Sequence, residues 1–150
     1  MVKNHLMKPL LTLSSLIFTA TAVFAEAPVL GKDMTKAIHE AAKENKMAFI
    51  LMGRPTCGNC NATKKMISEG KVPVTADTFV MADISADDAR VNAAFKQKFP
   101  KEKFGNMLPF VVITDSKGKP LASYSGYKAP AALTAIIEGA KTKAESKTAK

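Results

Sequence analysis

The chain has 150 residues, two cysteines, no tryptophan and a formal net charge of +9. That length suits one domain with an ordinary core and excludes two, and two cysteines exclude a small fold stapled by several disulfides. The positive charge raises nucleic acid, membrane headgroups and acidic partners as ligands, with solvated lysines that aid solubility as the favoured reading.

In chain order, Lys3 and Lys8 form a basic start, Leu10 to Phe24 is mostly apolar, and Val23-Phe24-Ala25 supplies small residues at the positions a signal peptidase reads. The pattern predicts a signal peptide over residues 1–25, cleaved after Ala25 or, as second choice, after Ala27. A retained anchor is the competing reading. The uncharged run Pro9 to Ala25 lies at the low limit for spanning a bilayer and carries five Ser and Thr, so no stable membrane anchor is expected. Export implies a periplasmic or secreted protein in a compartment where disulfides persist, and it argues against nucleic acid as a partner. The net charge falls to +7 once Lys3 and Lys8 leave.

Residues 26–32 read as a linker. Met34, Ala37, Ile38, Ala41 and Ala42 then recur at helical spacing, with Asp33 as the expected N-cap. Met47 to Met52 is a short unbroken apolar run, typical of a strand covered on both faces. Gly53-Arg54-Pro55-Thr56 breaks it and leads to Cys57, from which Met66 and Ile67 continue a helical face that Gly70 can end. Thr78 to Ile84 predicts a second buried strand. Ser85 is the expected cap of a helix carrying Val91, Ala94, Phe95 and Lys98, and a basic, irregular loop runs from Phe99 to Met107. Pro109 to Thr114 and Leu121 to Ser125 read as a hairpin around Asp115-Ser116-Lys117-Gly118. Pro130 opens a last helix with Leu133, Ile136, Ile137 and Ala140 on its buried face. The domain is expected over 33–141, with 142–150 a disordered basic tail.

Cys57-Gly58-Asn59-Cys60 holds both cysteines. At a helix start, the free N–H groups and the helix dipole would stabilise the Cys57 thiolate, and Cys60 one turn on could attack a mixed disulfide. A purely structural disulfide would close too small a loop to remove much unfolded-chain entropy. Zinc needs about four ligands, and after the leader only His39 joins the two thiols; His39 is read as a surface or boundary residue. Covalent haem would want a histidine where Asn61 stands. No metal is expected. Arg54, Lys64 and Lys65 could favour the thiolate or simply be solvated. Met47, Met52, Met66, Met81 and Met107 could bind a soft metal, with core packing the favoured reading.

Strands alternating with helices and ending in a hairpin imply an α/β fold, a mixed central sheet with helices on both faces. The cysteine pair opening a helix after the first strong strand, Leu108-Pro109 beginning a facing strand, Lys117-Gly118, Gly126 and the last helix together resemble the thioredoxin family over Asp33 to Lys141. The resemblance implies a thioredoxin-like fold and a cis Pro109 lying against the cysteines. It implies Cys57 as nucleophile, Cys60 as resolving thiol, and Leu108 and Pro109 as the substrate-binding backbone. It further implies a thiol-disulfide oxidoreductase with no cofactor beyond its redox-active disulfide. The expected partners are protein thiols and disulfides, including a membrane or periplasmic redox protein, and a monomer is expected. The chain departs from the family pattern at Thr56, where tryptophan is usual, and at Leu51, where a buried acid is usual. Asp83 offers a nearby carboxylate, with a turn or cap role favoured for it. Gly58 and Asn59 form a variant dipeptide that leaves the direction of electron flow open. A non-catalytic binding module, or a copper or partner adaptor on the same fold, is the alternative.

Overall fold

The computed structural model describes residues 25–148; the expected leader before Ala25 lies outside them. The elements are β1 (Leu30–Gly31), α1 (Met34–Glu44), β2 (Met47–Gly53), α2 (Gly58–Ser68), β3 (Phe79–Ser85), α3 (Ala89–Lys98), β4 (Phe110–Thr114), β5 (Pro120–Ser125) and α4 (Pro130–Thr148). One sheet has the order β1-β3-β2-β4-β5. β1 and β2 run parallel to β3, whereas β4 is antiparallel to both β2 and β5.

β2 is central and buried along its whole length, and its alternation sends side chains to both faces. Phe49 and Leu51 join a cluster with Met66, Ile67, Leu133 and Ile137, so α2 and α4 cover that face. Ala48, Ile50 and Met52 pack with Met34, Ala37, Ala41 and Phe95, so α1 and α3 cover the other. This two-sided burial is why the Met47 to Met52 run lacks the polar alternation of a half-exposed strand.

Several boundaries differ from expectation for local reasons. The linker is not free: Leu30–Gly31 pairs with Met81 and Ala82, and the Glu26 carbonyl accepts the Ala76 N–H at 2.7 Å. Asp88, not Ser85, caps α3, its carboxylate accepting the N–H groups of Arg90 and Val91; Ser85 still belongs to β3. Ala42, expected on the apolar face of α1, is exposed. The expected disordered tail is corrected as far as Thr148. α4 continues through it because Ala144 packs against the α2/α4 cluster and Lys143 Nζ donates to the Leu121 carbonyl at 3.0 Å. Among the described residues no helix is long and apolar enough to cross a membrane.

Candidate functional site

The strand-to-helix connection after β2 builds the cysteine pair. Cys57 N–H donates to the Arg54 carbonyl at 3.2 Å, closing a turn over Pro55 and Thr56. The Asn61 side chain donates to the Pro55 carbonyl at 2.9 Å and ties that turn to the helix it precedes. Cys57 is the N-cap of α2 with extended backbone, and its sulfur accepts the Cys60 N–H at 3.2 Å. The Cys57 sulfur thus occupies a position where free N–H groups and the helix dipole favour negative charge.

Cys57 and Cys60 form a disulfide, with Cα atoms 5.2 Å apart. The two sulfurs are not equivalent. Cys60 is fully buried in the α2/α4 cluster, whereas Cys57 is only partly buried and reaches an open groove. An external thiolate can therefore approach Cys57 and not Cys60. Gly53, at the end of β2, makes room for the buried sulfur: a Cβ there would lie 2.8 Å from Cys60 Sγ.

Across the groove the Leu108–Pro109 peptide is cis. The Pro109 carbonyl accepts the Gly126 N–H at 3.0 Å, and the Asn59 side chain makes a long contact of 3.5 Å to the Leu108 carbonyl. Cys57, Gly58, Asn59 and Leu108 all line one groove of about 600 Å³, so the structure brings the sequence-derived site residues together, with Pro109 buried behind them. Met107, Phe110 and Asn92 join them there. Met107 is 66 % exposed, unlike the core position expected of it. Met47, Met52, Met66 and Met81 are buried in the two clusters, as packing residues should be. Asn92 Oδ1 is buried without a hydrogen-bond partner. A slightly larger groove, about 710 Å³, lies at the other end of the sheet around Lys46, Asp115 and Lys147, far from this chemistry.

The cations near the motif are committed to carboxylates. Arg54 pairs with Asp87 at 2.6 Å, Lys64 with Asp83 at 3.1 Å and Lys65 with Glu69 at 3.7 Å. Asp83 neither caps nor turns. It sits within β3 directly beside Leu51, its side chain 12 % exposed and held by both Lys64 and Lys32. His39 is exposed on α1. Among the described residues no three His, Cys, Asp or Glu side chains converge as metal ligands. The exposure of Met107 and the service of Gly53 to Cys60 escaped the sequence reading; a glycine closing the strand four residues before the first cysteine was the available signal.

A family model described as a thioredoxin-like domain matches residues 34–141. Similar solved structures include a single-site mutant thioredoxin from Halobacterium salinarum, 18% identical with TM-score 0.52, covering 77% of this chain and 93% of that one. An uncharacterised thioredoxin-like protein from Clostridium perfringens is 20% identical with TM-score 0.52, over 87% and 94% of the two chains. Thioredoxin O2 from Arabidopsis thaliana in its oxidised state is 18% identical with TM-score 0.53, over 75% and 93%. No curated protein matches the chain by sequence. These likenesses carry the fold, and the family model spans most of the chain: the protein belongs to the thioredoxin-like family.

Proposed function

We propose that this chain is a thiol-disulfide oxidoreductase acting on protein cysteines through a reversible Cys57–Cys60 disulfide. The observation that carries the proposal is the inequality of the two sulfurs. Cys57 is accessible at a helix N-terminus beside the cis Leu108–Pro109 groove, and Cys60 is buried behind it. In the reducing direction the Cys57 thiolate attacks a partner disulfide and displaces one partner thiolate. Cys60, after losing its proton, attacks Cys57 Sγ and displaces the second. Two electrons leave this chain, and the reverse sequence oxidises a partner dithiol. The backbone of Leu108 lies where an extended partner segment can run alongside the reacting sulfur.

The chemistry needs no cofactor beyond the disulfide. The groove is complete within one chain, which supports action as a monomer. The leader-like start supports an exported, periplasmic or secreted protein whose partners include a membrane or periplasmic redox protein.

The deciding experiment is a trap. Cys60→Ser is expected to accumulate mixed disulfides through Cys57, and identifying the trapped proteins gives both the partner class and the direction of electron flow. Stronger trapping by Cys57→Ser would reverse the assignment of nucleophile. No trapping by either variant, together with no exchange between the intact protein and a small disulfide, overturns the proposal.

A further inference from the structure

Nine cations of the described chain lie within 4.0 Å of a carboxylate. Of the ten that do not, Lys96, Lys98, Lys101, Lys103, Lys117 and Lys119 are exposed and fall within one stretch of the chain, from α3 to the β4–β5 turn. The fold gathers them. Lys98 Nζ lies 3.5 Å from where Gly118 would carry a Cβ, which sets the end of α3 against the β4–β5 turn. From there the segment 99–107 runs beside β5, the Glu102 carboxylate accepting from the Ser123 hydroxyl and the Gly105 N–H donating to Ser125 Oγ at 3.0 Å. Its rings face inward: Phe99 and Phe104 pack on Phe95, and Phe104 stacks on Phe110 with centroids 5.0 Å apart. Lys101 and Lys103 alternate with these anchors and are left in solvent. The segment then delivers exposed Met107 and Leu108 to the cysteine groove.

The result is a fixed basic strip that leads to the reactive sulfur. At its far end Lys117 and Lys119 share a groove with Asp77, Asp115 and Glu145, and Glu102 lies within the 99–107 segment. Glu102 is turned to Ser123, and Asp115 accepts the N–H groups of Lys117 and Lys119 and pairs with Lys147 at 3.7 Å. Lysines kept for solubility alone would need no such placement along a segment that ends at the cysteine groove. β5 spans roughly 20 Å at about 3.3 Å per residue, whereas charges are screened over about 8 Å at physiological ionic strength. The far lysines therefore cannot act on a small anion at Cys57. They act on something long enough to lie along the strip.

We propose that this strip docks the redox partner, and that the partner is a protein whose cystine or dithiol is flanked by a carboxylate-rich surface. The inference rests on the oxidoreductase reading above and deepens it. It concerns encounter and orientation; the electron transfer remains the exchange already written.

The test compares two synthetic cystine peptides of equal length, one carrying glutamates beside the disulfide and the other glutamines, with neutral bis(2-hydroxyethyl) disulfide as the control. Reduced protein is expected to react about tenfold faster with the glutamate peptide at low salt, and the advantage should vanish at high salt. The Lys101→Gln/Lys103→Gln double variant should lose most of that advantage while reducing the neutral disulfide at the normal rate. Equal rates for the two peptides at low salt, or an advantage that survives in the double variant, overturn the proposal. Binding to anionic phosphatidylserine vesicles that needs these lysines, without any peptide preference, would assign the strip to a membrane surface and overturn it too. Failure to reduce the neutral disulfide would instead overturn the oxidoreductase reading. Fluorescence anisotropy would then still decide the strip, since preferential binding of the glutamate peptide supports it and equal binding refutes it.

Discussion

Gly53 shows how a single missing atom can bias the redox state of the site. Its Cβ, if present, would sit 2.8 Å from Cys60 Sγ, 3.1 Å from Cys60 Cβ and 3.2 Å from Leu51 Cδ2. In the disulfide, Cys60 Sγ is tied to Cys57 and cannot turn aside, whereas in the dithiol it is free to choose another rotamer. Gly53→Ala is therefore expected to cost about 1–3 kcal/mol in the oxidised protein, the usual scale of overpacking, and less in the reduced one. Urea unfolding with and without reductant measures both losses, and glutathione titration should shift toward the dithiol. Equal losses in the two forms would mean that the backbone, not the sulfur, yields.

At the scale of elements, the C-terminal half of α4 is where composition misleads. Lys141, Lys143 and Lys147 with small polar neighbours read as a frayed tail, yet Ala144 contacts the core cluster and Lys143 reaches the Leu121 carbonyl. Truncation after Lys141 should remove about 1–2 kcal/mol, one buried methyl and one hydrogen bond. Thermal or urea unfolding reads it, and an unchanged midpoint would mean that the segment contributes nothing. The same contrast explains which elements were legible. β2 announced itself because an apolar run covered on both faces has no other economical place, and Pro130 and Leu133 to Ala140 marked α4 by period and start signal. β1 was invisible because two residues carry no period, and its strand exists only through pairing with Met81 and Ala82. In the site, spacing exposed Cys57 and Cys60, and the resemblance exposed Leu108 and Pro109. The exposure of Met107 and the setting of Asp83 beside Leu51 arise from tertiary placement, which local pattern does not encode.

The whole molecule is bounded in pH by two unlike sets of groups. On the acid side the carboxyls of Glu44, Glu69 and Asp77 are held below their ordinary values, chiefly by hydrogen bonds from Lys46, Lys71 and Thr75 respectively. Their stabilisation is present above the unfolded-state values and is lost as pH falls through the lower folded ones. All three lie in exposed, salt-screened settings, so that limb should be shallow and weaken further in high salt. The alkaline side rests on Tyr124. Its ring belongs to the α2/α4 cluster and its hydroxyl is buried with no hydrogen-bond partner, so desolvation pushes the phenol well above its ordinary value of 10.0. For an acid raised in the folded state, both states keep the proton at neutral pH. Above the unfolded value only the unfolded chain releases it, so stability falls as pH rises. Relative to Tyr124→Phe, the wild-type chain should lose about 1.4 kcal/mol per pH unit once pH exceeds the unfolded phenol value. At neutral pH the same variant should be more stable by about 1 kcal/mol, because a buried hydroxyl without a partner is removed and the ring kept. Urea unfolding of both proteins across the alkaline range measures the two effects together. A Phe variant that is less stable at neutral pH would show that the hydroxyl is satisfied, and parallel alkaline slopes would show that Tyr124 does not set that limit.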